Sequence, residues 1–165
     1  MTPCETNIAE CPIFRTMSPE ERSQILQIAE TRFFARGRAI IREEEMAPQG
    51  LWLIRAGRCE VVHQLLHDGE QQLAVLPAGA IFGEMSFFDP GPHSATVRSL
   101  EDVELMFIPA DRFLQVQAVD LLAAEKFLKN MGRLMAQKLR RMDYFTLDLI
   151  PMFPAVVPSD RAPSK

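Results

Sequence analysis

Cysteine is scarce in this 165-residue chain: Cys4, Cys11 and Cys59 are an odd number at irregular spacing, with no Cys-x-x-Cys pair. That excludes a disulfide scaffold and a zinc-thiolate site, and it fits a reducing compartment. Positive charge is not in excess, since 18 Lys and Arg stand against 22 Asp and Glu for a formal net charge of -4. No overall basic field marks the chain for nucleic acid, so any such role would have to be local. Long apolar runs are missing too. The N-terminal MTPCETNIAE has no basic flank leading into an apolar stretch, and no segment approaches the length that spans a bilayer. The expectation is a soluble, cytoplasmic protein with no membrane partner.

What is present suits one domain with appendages, because 47% hydrophobic content over 165 residues is enough for a core. Ser18, Pro19 and Glu21 form a capping-box pattern ahead of Ile25, Leu26, Ile28 and Ala29, which predicts a short amphipathic helix. From Arg32 to about Ile108 the pattern becomes short β-rich segments broken by glycine: RAIIR, LWLIR, CEVVHQLL, QQLAVL, AIF, ATVRS and VELMFI. Their spacing is that of a β-sandwich, barrel or roll. The short Ala56-Gly57 connection and the Asp68-Gly69 pair both read as tight turns between antiparallel partners. After Pro109 the helical period returns, briefly from Asp111 to Val116 and then strongly from about Asp120 to Phe145. In that long helix Leu121, Ala124, Leu128, Met131, Met135, Met142 and Phe145 recur at steps of three and four, a seam interrupted only by Lys138. Phe127, Leu134 and Leu139 widen it, so the helix is expected to pack on the β region along one face and to pair with a second copy of itself. From Leu149 on, four prolines rule out further helix. The expected division is 1–11 as an N-terminal segment, 12–120 as the β domain with its first helix, 121–147 as the long helix and 148–165 as a proline-rich tail.

The order of a capped helix, an antiparallel roll, LWLIRAGRCEVV, PAGAIFGEMSFF, ATVRS and a long helix resembles the cyclic-nucleotide-binding domain family over about Pro12 to Met142. FGE followed at the right distance by SATVR is the most specific part, and it resembles the family's phosphate-binding cassette. The resemblance implies a mainly β fold with flanking helices (α+β), an antiparallel double-stranded β-helix or jelly-roll-like β-roll with a long C-terminal helix. It also implies a cyclic mononucleotide, cAMP or cGMP, as ligand, with no tightly bound cofactor. The implied site residues are Gly83, Glu84, Met85, Ser86, His93, Ser94 and Ala95.

The residue types suit that chemistry. Gly83 lets the backbone come close to a ligand, and a helical turn opening at Glu84 to Ser86 aims unpaired N–H groups at an anion. Glu84 is badly placed to contact a phosphate but well placed to accept a hydrogen bond from a ribose hydroxyl, the role of the family's glutamate. Where the family carries an arginine that holds the cyclic phosphate in two parallel hydrogen bonds, this chain has His93. A neutral imidazole offers one donor and no charge, and losing the charged pair costs on the order of 2–5 kcal/mol if nothing replaces it. Phosphate and Glu84 nearby would favour the imidazolium, which makes any grip pH-dependent. Arg98 lies five residues further on, on the opposite side of an ideal strand. Where some bacterial members offer a Thr-Ser pair to the base, the long helix here has Met142, Asp143 and Tyr144, which leaves the base unassigned.

Other chemistries find less support. His63 and His67 would stand about 13 Å apart on a strand, too far to share one metal ion. The cupin pattern shares Pro77-Ala78-Gly79 but lacks its histidines, with Phe82 where one is wanted. Ser86, Ser94 and Cys59 have no identifiable base and no Gly-x-Ser-x-Gly elbow, so no enzyme is expected. Trp52 and the pairs Phe33-Phe34 and Phe87-Phe88 read as core. Lys126, Lys129, Arg133, Lys138, Arg140 and Arg141 read as the solvated face of the long helix. The family's transcription factors continue into a helix-turn-helix module, whereas here a short tail follows. The expected protein is therefore a stand-alone regulatory module and homodimer that acts through its helix on an unknown protein partner, without direct DNA binding. The alternative is a degenerate roll that has given up nucleotide and serves as an interaction or dimerisation module.

Overall fold

The computed structural model describes residues 7–46, 48–65 and 69–149, with side chains described as far as Met142. Cys4, His67, Asp68 of the expected hairpin turn, the side chain of Phe145 and the proline-rich tail lie outside this description.

After two short 3-10 turns, Ile8–Glu10 and Pro12–Phe14, the chain forms α1 (Pro19–Ile28), β1 (Glu30–Phe34), β2 (Ala39–Ile41), β3 (Gly50–Ala56), β4 (Cys59–Gln64) and β5 (Glu70–Leu76). β6 (Ile81–Phe82), α2 (Glu84–Phe88), β7 (Thr96–Ser99), β8 (Val103–Pro109), α3 (Ala110–Val119) and α4 (Leu121–Leu149) complete it. The strands make two antiparallel four-stranded sheets, ordered β1-β8-β3-β6 and β2-β7-β4-β5. This is the expected mainly β roll with flanking helices and a long C-terminal helix.

The core has two layers, and β3 and β8 belong to both. Trp52, Ile54, Leu105 and Phe107 join Ile41, Cys59 and Val97 of the other sheet in the space between the sheets. Their alternate neighbours Leu51, Leu53, Met106 and Ile108 face α1, α3 and α4 through Ile25, Phe113, Val116, Phe127 and Met131. A strand covered on both faces must be apolar at successive positions, which explains the unbroken LWLI and LMFI runs.

Three sequence expectations change in the fold. β3 and β4 are not partners: the connection at Gly57 carries the chain from one sheet to the other. Gly57 has φ 83°, and a Cβ there would meet the Asp102 carbonyl oxygen at 2.7 Å, so this crossing requires glycine. Second, β1 alternates with period two, which leaves Phe33 75% exposed while Phe34 packs on the inner core. Phe88, at the end of α2, is likewise 48% exposed. Third, the seam of α4 splits. Ala124, Phe127 and Met131 are buried against the roll, whereas Leu121, Leu139 and Met142 are exposed.

α4 is pinned to the N-terminal segment by Asn130, which is buried, donates to the Ile13 carbonyl at 2.9 Å and accepts from Thr16 Oγ1 at 3.2 Å. Lys126 reaches α1 instead of solvent, donating to Glu21 at 2.6 Å. That bond, with one from the Ser18 backbone, holds the Glu21 carboxyl below the usual carboxylate range. The capping box is complete: Ser18 Oγ accepts from the Glu21 N–H at 3.2 Å, and Glu21 Oε2 accepts from the Ser18 N–H at 2.7 Å. Ser18→Ala is expected to lower stability by about 1 kcal/mol. A thermal melt should read that as a Tm lower by about 2–4 °C.

Candidate functional site

β6 delivers the chain to the candidate site. Ile81 and Phe82 pair with Leu53 and Trp52 of β3, and Gly83 then turns the backbone at φ 77°. Only glycine takes that conformation without strain, and the position is also crowded. A Cβ at residue 83 would stand 3.0 Å from the Gly50 carbonyl oxygen and 3.1 Å from Trp52 Cδ1. Trp52 is held beneath the turn by stacking on Phe82, ring centroids 5.9 Å apart, and by a tilted contact with Phe107 at 4.5 Å.

Gly83 is the N-cap of α2 and makes no side-chain cap. The first-turn N–H groups of Glu84, Met85 and Ser86 therefore have neither an intrahelical nor a capping partner. Ser86 is buried, and its hydroxyl donates back to the Gly83 carbonyl at 3.0 Å, which closes the turn from inside. Met85 is 63% exposed beside it. At the far end of α2, Phe87 meets Phe113 of α3 at 5.4 Å and Phe127 of α4 at 6.4 Å, so the turn is mechanically joined to both helices.

Glu84 is not free. Lys138 of α4 donates to Glu84 Oε1 at 2.6 Å and to the Ile81 carbonyl at 3.1 Å. The Glu84 side chain is 13% exposed. Lys138 is thus part of the site, although its sequence context placed it on a solvated face. The one available signal was that it interrupts an apolar seam. Phe87 reads as core from its neighbours, and nothing in the residue order points to its contacts with α3 and α4.

His93 lies elsewhere than its setting between Pro92 and Ser94 suggests. It is 9% exposed, and its backbone is tied to the 43–45 segment. The His93 N–H donates to the Glu45 carbonyl at 3.3 Å, and the Glu44 N–H donates to the His93 carbonyl at 2.9 Å. Its Nε2 is buried without a hydrogen-bond partner. Burial lowers the His93 pKa, which favours the neutral ring where sequence reasoning looked to the imidazolium. Ser94 is exposed and Ala95 half-buried as the chain enters β7. Gly83, Glu84, Met85 and Ser86 therefore share one turn, while His93, Ser94 and Ala95 form a separate strap. Among the described residues no hydrogen bond or ion pair joins the two groups.

Arg98 is committed away from the turn, with Nη2 at 2.7 Å from Glu60 and 3.0 Å from Glu70. Hydrogen bonds from Gln72 and then Arg98 hold the Glu60 carboxyl below its ordinary range. A groove of about 800 Å³ lined by Arg42, Glu43, His63, Glu70 and Arg98 contains none of the turn residues. Among the described residues no three His, Cys, Asp or Glu gather to hold a metal ion, and no helix is long and apolar enough to cross a membrane. Burial pushes the Cys59 thiol up to about 12, so it is not a thiolate nucleophile at neutral pH.

Known proteins resemble this chain in sequence and in fold. Residues 31–120 match the family model described as the cyclic nucleotide-binding domain. The chain is 31% identical over 140 residues to the cyclic AMP receptor protein of Thermus thermophilus, covering 84% of this chain and 62% of that protein. It is 27% identical over 130 residues to the cAMP-dependent protein kinase regulatory subunit of Debaryomyces hansenii, covering 78% of this chain and 28% of that one. The crystal structure of the Thermus thermophilus catabolite activator protein superimposes with a TM-score of 0.75 at 30% identity, over 85% of this chain and 63% of that chain. The chain therefore spans less than two thirds of these relatives.

The burial of His93 predicts a pH effect on stability. Above its ordinary pKa of about 6.5 the ring is neutral in both the folded and unfolded states. Below that value the unfolded chain binds a proton that the buried ring resists, so stability is lost as pH falls toward the lowered folded pKa. Between about pH 7 and pH 5.5 the Tm of His93→Gln should fall less than that of the wild type.

Proposed function

The chain belongs to the cyclic nucleotide-binding domain family, and from that premise we propose that it binds a cyclic mononucleotide, cAMP first, at the Gly83–Ser86 turn and passes the signal to α4. The observation that carries this reading is the turn itself. A left-handed Gly83 on a fixed tryptophan opens a helix whose first N–H groups are uncapped, with a carboxylate in the same turn. The N–H groups suit the cyclic phosphate and Glu84 Oε2 suits a ribose hydroxyl. His93, Ser94 and Ala95 would close the other side. The relatives named for cAMP support adenine, and their names describe receptor and regulatory proteins, which supports a regulatory role over a catalytic one.

Signal output follows from how α2 is held. A ligand that shifts α2 moves Phe87 against Phe113 and Phe127, and hence α3 and α4. On the flank of α4 beside the stripe packed on the roll, Leu128, Gly132, Met135, Leu139 and Met142 follow steps of four and three, with Gly132, Leu139 and Met142 exposed, a seam suited to a second copy of the same helix. A Cβ built at Gly132 meets nothing within 4 Å, so this face has room for one. A second reading, in which the roll has lost nucleotide and serves only as an interaction module, draws on His93, whose buried, neutral ring offers the phosphate no charge.

Calorimetric titration with cAMP and cGMP at pH 6 and pH 8 decides between them. The proposed function gives micromolar binding that is lost in Glu84→Ala. Placing the charge back with His93→Arg should tighten it by about tenfold or more. A wild type that binds neither nucleotide while His93→Arg does would establish the second reading. For assembly, sedimentation at micromolar concentration should show a dimer that Leu139→Glu converts to a folded monomer whose Tm no longer depends on protein concentration, because Leu139 is 59% exposed and a charge there leaves the core intact.

A further inference from the structure

Lys138 sits where α4 has no packing reason for a cation. Ala124, Phe127, Met131 and Leu134 form the stripe that faces the roll, and position 138 continues it by the next step of four. Phe127 and Lys138 are 11 residues apart. That is about 16 Å along the helix and about 20° around it, so both lie on one face. They grip α2 at its two ends: Phe127 packs on Phe87 and Lys138 pairs with Glu84.

We infer that Lys138 is a positioning residue for the ligand, supplying from the moving helix the positive charge that the cassette loop lacks. This inference rests on the reading of the site as a cyclic-nucleotide site. A bare carboxylate in the phosphate-binding turn repels an anionic ligand; the ammonium 2.6 Å from Glu84 cancels that charge and fixes the carboxylate. It occupies Oε1 and leaves Oε2 to accept a ribose hydroxyl. Of its three N–H donors, two go to Glu84 and the Ile81 carbonyl, and with the side chain 43% exposed the third is open to solvent or a ligand. The other basic groups nearby in sequence do not serve, because His93 is driven toward its neutral form and Arg98 is taken by Glu60 and Glu70. The counter-charge is present only while α4 lies against α2. Ligand affinity and helix position are then one equilibrium, and by linkage a ligand holds the helix down as firmly as the docked helix helps the ligand to bind.

The test is cAMP titration of the full chain as wild type, Lys138→Met, Lys138→Arg, Glu84→Gln and the Glu84→Gln/Lys138→Met double variant, with thermal melts of each. Lys138→Met should weaken binding by about tenfold or more, and Lys138→Arg should stay within about threefold of wild type. Lys138→Met should cost less affinity in the Glu84→Gln background, where no carboxylate remains to be neutralised, and the Tm differences should not account for that change, whereas a purely structural lysine would show its coupling in Tm. Lys138→Gln is the second variant should the Met form melt early, and the same tenfold threshold applies to it. Amide exchange of residues 134–142 should slow on adding cAMP to the wild type and not to Lys138→Met. Equal or tighter binding by Lys138→Met and Lys138→Gln overturns the inference while leaving the site assignment standing, and so does cAMP-slowed exchange in Lys138→Met. A wild type that binds no cyclic nucleotide overturns the site assignment and the inference together, and is recognised because the unmodified protein fails.

Discussion

Burial of β3 and β8 on both faces is the constraint on which the rest depends. Each strand gives alternate side chains to the inter-sheet core and to the helical layer, so neither layer can be repacked without disturbing the other. Trp52 marks the joint. Its ring supports the Gly83 turn and stacks on Phe82, while its neighbours Leu51 and Leu53 bear on the helices. The turn is therefore built on strands buried on both faces, and its remaining contacts come from the helices outside.

Two kinds of contact reach it from outside, and they differ in range and in tolerance. The aromatic cluster of Phe87, Phe113 and Phe127 is short-ranged and shape-dependent, and forfeits about a quarter to a half of its attraction over a gap of an ångström or less. The Glu84–Lys138 pair carries charge, falls off more slowly and responds to ionic surroundings. The two contacts hold different parts of α4 against the two ends of α2, while Asn130 separately ties α4 to the N-terminal segment through the Ile13 carbonyl.

Local signals in the sequence report local structure faithfully. The capping box at Ser18, a glycine-opened turn at Gly83 and the apolar runs of β3 and β8 act within a few residues, and all are legible in the residue order alone. Signals that depend on distant chain are not. A short turn at Gly57 looks like a hairpin from its residues, yet the partners of β3 and β4 lie elsewhere in the chain, and the turn joins two sheets. His93 looks exposed because its neighbours are proline and serine, but backbone bonds to residues 44 and 45 fold it inward. Lys138 looks solvated because it sits among basic residues, while its partner is 54 positions away. The fold class and the turn were thus readable, and the electrostatics around the turn were not.

The strand order has a consequence for how the chain is made. β8 is the middle of its sheet: Glu30 pairs with Phe107 and Leu51 with Ile108, while β1 and β3 do not pair with each other. During synthesis β1 and β3 emerge first, with apolar faces and open edges, and have no sheet partner between them until residues 103–109 follow. Such non-local pairing slows folding, and the long wait leaves LWLI exposed to other chains. β8, the last of the described strands, is thus the one that joins β1 to β3, and a nascent chain that stops short of it lacks Phe107, the ring that braces Trp52 under Gly83.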